Sequence, residues 1–330
     1  MQNQLPYNSS LLRITLPSLI SFTDHHRELV ELAVKNSSKR LVIYVSCKDI
    51  GFYEKTPLKC WNEVHNLLSA FYVSGTRMSY ELSRPFLEID VIFEDWCGYS
   101  AELEKEWNLE VLFGNDLERT VLEKFNENRK AAGLVELPIH IMDTITSPPS
   151  QIGLNFQNSI DKKLDDDKPQ IFQKVAVGGT FDHLHVGHKI LLTMSAWTST
   201  NKLICGVTGD VMLINKKYKE YMESIDTRIE KTAKFLNNIR RGLLYEVGPI
   251  YDPYGPTITD PDVEALIVSK ETVSGADSIN EERRKRGLNP LEILVIEVIS
   301  SSAPSLKDED FKNLKISSTF IREMLSKNSG

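Results

Sequence analysis

The chain has 330 residues, enough for two domains of ordinary size, and its 41% hydrophobic and 26% charged content is that of a folded globular protein, not a disordered or fibrous one. A formal net charge of −7 argues against a nucleic-acid partner, but leaves room for a local cationic pocket. No apolar run has the length of a membrane span, so no membrane partner is expected.

The N-terminus shows neither the basic stretch nor the apolar stretch of a secretory signal. Cys47, Cys60, Cys97 and Cys205 form no C-x-x-C pair, and buried thiols in a reducing compartment are the plain expectation. A cytoplasmic location follows, with nuclear presence left open. No solenoid-type repeat is apparent.

In chain order, the first half reads as strands over 11–16, 40–46, 86–93, 110–113 and 138–142, with helices around 24–35, 62–69 and 117–130. This is an α/β pattern. It carries no phosphate loop, metal cluster or catalytic constellation, and His25-His26 reads as a solvated pair at a helix start. Two stretches read as connectors. One is 147–150, with its two prolines; the other is the charge run 161–169. They set the expected boundary near residue 165, giving an N-terminal α/β domain over 1–165 and a second domain over 166–330.

The second half alternates more clearly. Strands are expected over 172–177, 202–208, 243–247, 265–268 and 293–299, as Val/Ile/Leu runs suited to a parallel sheet buried on both faces. Helices are expected over 188–198, 226–241, 278–286 and 317–326. In the second of these Ile229, Ala233, Leu236 and Ile239 recur at helical spacing, with Ser224 or Asp226 as N-cap. The alternation predicts a doubly wound, Rossmann-like parallel sheet with right-handed crossovers, whose ligands bind at the carboxyl ends of the strands.

The most informative stretch lies at such an end. After the first strand of the second half come Gly178-Gly179-Thr180-Phe181-Asp182-His183-Leu184-His185-Val186-Gly187-His188, which hold three of the chain's seven histidines. A strand, a glycine-bearing turn and a helix start make an anion site, because free backbone N–H groups and the helix dipole point at it. His185 and His188, at i and i+3, share one face of the first helical turn, and Gly187 between them leaves room for a phosphate. The pattern is a phosphate-handling turn with imidazole donors. Helix-capping or metal-binding histidines are the plain alternatives. No G-x-x-x-x-G-K-[S/T] occurs, which excludes a P-loop kinase.

Gly179-Thr180-Phe181-Asp182-x-x-His185-x-Gly187-His188 resembles the signature of the H-x-G-H nucleotidylyltransferase superfamily. Ile316-Ser317-Ser318-Thr319-Phe320-Ile321-Arg322 resembles its second signature. Between them, 215–220 and 268–275 are similar to the eukaryotic phosphopantetheine adenylyltransferase branch. The resemblance covers 171–330 and implies adenylyl transfer from ATP to 4′-phosphopantetheine, with magnesium accompanying ATP. Other coenzyme A-synthesising enzymes are candidate partners.

By that resemblance His188 stabilises the α-phosphate in the transition state and His185 holds the ATP phosphates. Gly178, Gly179, Thr180, Phe181, Ser269, Ser317, Ser318, Thr319 and Arg322 complete the ATP contacts. Thr180 also meets the phosphate of phosphopantetheine. A loop lysine, Lys217 in preference to Lys216, reaches the reacting phosphates. Asp182 reads as structural, and no protein ligand to a metal is assigned. Arg283, Arg284 and Arg286 read as a solvated helix face from which one arginine can reach the triphosphate. Where bacterial members carry an Arg-Gly-Leu-Arg stretch this chain has Val268-Ser269-Lys270-Glu271, so those arginine roles do not carry over.

Two alternatives remain open. The first is a nicotinamide-mononucleotide-type adenylyltransferase, which combines a similar histidine turn with Ile-Ser-Ser-Thr. The second is a catalytically silent scaffold that keeps the fold. The run 312–315 departs from the Arg-Thr-x-Gly of cytidylyltransferases.

Overall fold

A computed structural model describes residues 6–145, 171–297 and 317–328. The two expected connectors, the 312–315 run, Ile316 and the end of the strand expected over 293–299 lie outside the described residues. The described chain forms two compact units, one from 6–54 and 62–145, the other from 55–61, 171–297 and 317–328.

The first unit is a parallel five-stranded sheet of order β3-β2-β1-β4-β5. Its strands are β1 (Tyr7–Thr15), β2 (Ser37–Ser46), β3 (Glu88–Phe93), β4 (Val111–Gly114) and β5 (Ile139–Ile141). Its helices are α1 (Asp24–Lys35), the short α2 (Lys48–Phe52), α3 (Trp61–Glu81) and α4 (Arg119–Ala131). Leu11, Val42, Ile92, Leu112 and Leu122 form part of one core, as strands covered on both faces require.

Helix α3 runs well beyond the expected 62–69. Its continuation includes Ser74, Gly75, Thr76 and Ser79, small polar residues that are nonetheless buried and so blur the apolar period. At Gly75 an added Cβ would stand 2.9 Å from Ile89 Cδ1, so a side chain there would displace the end of the Ile89 side chain. His25 and His26 are not solvated; both are buried at the start of α1. His26 Nδ1 lies 3.1 Å from the Thr23 N–H, which donates to it and caps the helix. His25 Nδ1 lies 2.7 Å from Thr144 Oγ1.

The second unit is again a parallel five-stranded sheet, of order β10-β9-β6-β7-β8. Its strands are β6 (Phe172–Gly179), β7 (Ser199–Thr208), β8 (Leu244–Ile250), β9 (Ala265–Ser269) and β10 (Glu292–Ile296). Its helices are α5 (Val186–Trp197), α6 (Ile225–Ile239), α7 (Val273–Lys285) and α8 (Ser318–Asn328). The N-cap of α6 is Ser224, whose hydroxyl accepts from the Thr227 N–H at 3.2 Å. All four cysteines are buried free thiols. No described helix is long and apolar enough to cross a membrane. The strand order reverses beside β6, so the carboxyl end of β6 lies at the switch point where such sheets take their ligands.

Candidate active site

The turn leaving β6 is held in an uncommon shape. Phe181 and His183 both have positive φ, 49° and 46°, although neither is glycine. Side-chain bonds fix the turn from below. Asp182 is fully buried; its Oδ1 accepts from the Glu223 N–H at 2.9 Å and its Oδ2 from Arg322 Nη1. The Asp182 carbonyl accepts from Ser318 Oγ at 2.9 Å. The His183 N–H donates to Glu223 Oε2 at 2.8 Å, and its Nε2 donates to the Tyr221 carbonyl at 2.8 Å.

Arg228 completes this frame. It lies in the first turn of α6, is fully buried, and donates to the carbonyls of Thr180 at 2.9 Å, Thr208 at 2.7 Å and Glu223 at 3.1 Å. It also pairs with Asp210 at 2.6 Å. One guanidinium thus ties the turn after β6 to the end of β7. Sequence reasoning passed over Arg228 and Glu223. Arg228 stands among charged helix residues and nothing in the spacing marks it as buried; the one local signal is the Ser224 cap, which places it in the first helical turn.

Above this frame stand the two predicted imidazoles. His185 is the N-cap of α5 and His188 sits one turn on, and their rings stack with centroids 3.8 Å apart. Phe181, fully buried, meets the His188 ring edge-on at 5.3 Å. A Cβ at Gly179 would stand 3.0 Å from the Phe181 ring, so glycine there makes room for the ring that backs His188. Nδ1 of His185 and Nδ1 of His188 are both buried without a hydrogen-bond partner among the described residues. An unmet buried polar atom costs about 1–3 kcal/mol. Such a cost is tolerated where a ligand is awaited.

Burial pushes the His185 imidazole down to about 4, with the neighbouring His183 adding to the shift. Burial and the adjacent His185 hold His188 well below its ordinary value. At neutral pH both rings are uncharged, and each carries one N–H donor.

The second motif meets the same turn. Ser317 Oγ caps α8, accepting from the Phe320 N–H at 3.2 Å. Arg322 is buried and spreads its donors over the Asp182 carboxylate, the Lys217 carbonyl at 3.0 Å and Thr319 Oγ1 at 3.2 Å. The structure therefore brings Thr180, His185, His188, Ser318, Thr319, Arg322 and the Lys217 backbone together. The side chains of Lys216 and Lys217 are exposed. Ser269 ends β9, the neighbour of β6, and opens the 3-10 turn Lys270–Thr272, its Oγ 3.2 Å from Thr272 Oγ1.

Arg283 does not belong to a solvated face. It is buried and donates to the carbonyls of Asn289, Thr257 and Asp260, while Arg284 and Arg286 are exposed.

One group of potential metal ligands occurs among the described residues, Asp182, His183 and Glu223, with ligand atoms within 4.8 Å of one another. It does not fit a metal. Both Asp182 oxygens are taken by Arg322 and the Glu223 N–H, and Glu223 is bound by the His183 N–H and Lys231.

A parallel α/β sheet whose switch-point turn carries two stacked imidazoles, each with a buried Nδ1 lacking a partner among the described residues, has the frame of a nucleotidyltransferase. Residues 176–324 match the cytidylyltransferase-like family. An uncharacterised protein of Schizosaccharomyces pombe is 35% identical over 90% of this chain and 89% of its own length. The phosphopantetheine adenylyltransferase of Saccharomyces cerevisiae is 44% identical over 47% of this chain and 49% of that protein, so the match spans about half the length of the yeast relative. The phosphopantetheine adenylyltransferase of Pyrococcus abyssi is 42% identical over 46% of this chain and 89% of that protein. The chain belongs to the cytidylyltransferase-like family of H-x-G-H nucleotidylyltransferases.

Proposed function

We propose that the second unit transfers AMP from ATP to 4′-phosphopantetheine, releasing pyrophosphate and giving dephospho-coenzyme A. A phosphate oxygen of the acceptor forms a bond to the α-phosphorus of ATP as the bond from that phosphorus to the β-phosphate oxygen breaks. The attacking oxygen is already anionic, so no general base is needed. Catalysis reduces to in-line positioning and to stabilising charge on the equatorial oxygens and the leaving group.

The stacked, neutral pair His185 and His188 is the observation that carries this reading. Two uncharged N–H donors are available, and their ring nitrogens gain proton affinity as phosphate charge arrives. The His188 ring, backed by Phe181, stands over the reacting phosphate, and His185 holds the chain of phosphates. Thr180 receives the acceptor phosphate, and the exposed Lys217 ammonium closes over both. Ser317 and Thr319 at the start of α8 give hydroxyls to the distal phosphates, and Ser318, whose hydroxyl is held by the Asp182 carbonyl, gives its N–H. Arg322 acts here through Asp182 and the Lys217 backbone. The residues at the turn do not hold a metal, and magnesium enters this proposal only with ATP, whose phosphates it neutralises.

Pyrophosphate release from ATP, magnesium and either 4′-phosphopantetheine or nicotinamide mononucleotide tests the reading. Release with phosphopantetheine alone supports it; release with nicotinamide mononucleotide alone overturns the acceptor; silence with both overturns the activity.

A further inference from the structure

The two units share more than a fold class. Their strand orders are the same, with the first strand central, the next two on one side and the last two on the other. In each, the third strand reaches the fourth without an α-helix, and a single 3-10 turn precedes the helix that leads to the fifth.

The agreement extends to register. Along β1 and β2 the pairing shifts between Tyr7↔Ser37 and Ser9↔Arg40. Along β6 and β7 it shifts between Phe172↔Ser199 and Lys174↔Lys202, the same irregularity at the same place. Ser10, Leu11 and Leu12 pair with Val111, Leu112 and Phe113, as Val175, Ala176 and Val177 pair with Ala265, Leu266 and Ile267.

It extends also to side chains. Glu110 accepts from the Asn8 N–H as Glu264 accepts from the Gln173 N–H. Asn126 exchanges two bonds with the Leu137 backbone, and Asn280 exchanges the same two with Leu291. Arg129 donates from Nε to the carbonyl of Val135, six residues on, and Arg283 does the same to Asn289, six residues on. Both helices end at a glycine of φ 72°, Gly133 and Gly287. Once these bonds set the alignment, Asn126-Glu127-x-Arg129-x-x-x-Gly133-Leu134 reads against Asn280-Glu281-x-Arg283-x-x-x-Gly287-Leu288.

The differences fall on the chemistry. Strand register places Arg13 where Gly178 stands and Thr15 where Thr180 stands, and the ends of the matching 3-10 turns place Glu118 where Thr272 stands. In the first unit the Glu118 carboxylate, buried, accepts from the Thr15 N–H at 2.7 Å and pairs with Arg13. Arg13 also donates to Thr15 Oγ1 at 2.8 Å and pairs with Glu94 at 2.7 Å. His26 holds the same third position of α1 that His188 holds in α5, but its Nδ1 is consumed by the Thr23 cap.

We infer that residues 7–141 are a second, divergent copy of the nucleotidylyltransferase fold, in which the Glu118 carboxylate occupies the place of a bound phosphate. The chain therefore holds one nucleotide site, not two. The acidic side chain and its guanidinium partner serve the first copy as a built-in anion.

Two measurements on the full-length chain test this. Calorimetric titration with ATP gives one equivalent per chain; two equivalents overturn the inference, and none overturns the adenylyl-transfer reading instead. In the second, Glu118→Ala leaves Arg13 with Glu94 alone and the Thr15 N–H without its acceptor, lowering the melting temperature, and millimolar inorganic phosphate restores it by several degrees while sodium chloride of matched ionic strength does not. Wild type shows no such phosphate effect in its first unit, which is read by hydrogen exchange at Thr15 and Arg13. If the alanine variant does not fold, Glu118→Ser serves, since it likewise vacates the place of the carboxylate. Phosphate without effect on the folded variant overturns the inference.

Discussion

Arg322 in α8 is paired with Asp182 in the turn after β6, and both side chains are essentially removed from water. The pair closes the second unit, because it joins its last described helix to its first strand's turn. Breaking one half of a buried pair leaves the other charged and unsolvated, at a cost of about 3–5 kcal/mol. Arg322→Ala is expected to lower stability by that order and to reduce kcat/KM as the turn loosens. Thermal unfolding beside initial rates checks it. A raised KM for ATP with unchanged stability would show that Arg322 is a phosphate ligand and not a clamp.

His188→Ala is expected to lose turnover by about a hundredfold or more while keeping most ATP affinity, since its donor acts on charge that grows in the transition state. Single-turnover rates and equilibrium ATP binding separate the two effects. Unchanged kcat would refute the assignment.

The histidine turn was legible because all of its parts lie within eleven positions, so the motif, the helix start and the strand before it could be read together. The frame beneath it was not. Asp182, inside the motif, could be read as structural, but Glu223 and Arg228 reach the turn from the start of α6, and a buried arginine on an otherwise amphipathic helix has no signature of its own. His25 and His26 misled for the opposite reason: adjacent polar residues at a helix start read as solvated, yet here α1 carries them against the sheet. The relation between the units was hidden because their shared residues are those that bond backbone, at spacings that stand out only once the sheets are aligned.

Acid should destabilise the fold through its buried imidazoles. Burial holds His26 and His185 near 4 and His188 well below its ordinary value, whereas in the unfolded chain each titrates near 6.5. Above about pH 6.5 neither state binds these protons, and the full stability is present. As the pH falls from about 6.5 toward 4 only the unfolded chain takes them up, so stability declines, by about 1.4 kcal/mol per pH unit for each full proton of difference. Urea unfolding between pH 7 and pH 5 measures the slope. A His185→Asn, His188→Asn double variant should show a shallower one; an equal slope would rule these two rings out as its source.

Gly179→Ala probes the support of His188 without touching it. The added Cβ would meet the Phe181 ring at 3.0 Å, a tight contact that a small shift relieves. The ring must move, and it has little freedom, being fully buried on a turn of positive φ and lying edge-on to His188. The expected outcome is a modest stability loss, about 1–3 kcal/mol as for an overpacked core, with a larger fall in kcat than in ATP affinity. Phe181→Leu in the same background shortens the ring that the methyl strikes, so it should recover part of the stability. If it also recovers kcat, Phe181 acts only by occupying space; if kcat stays low, its edge contact with His188 is what sets the imidazole's orientation.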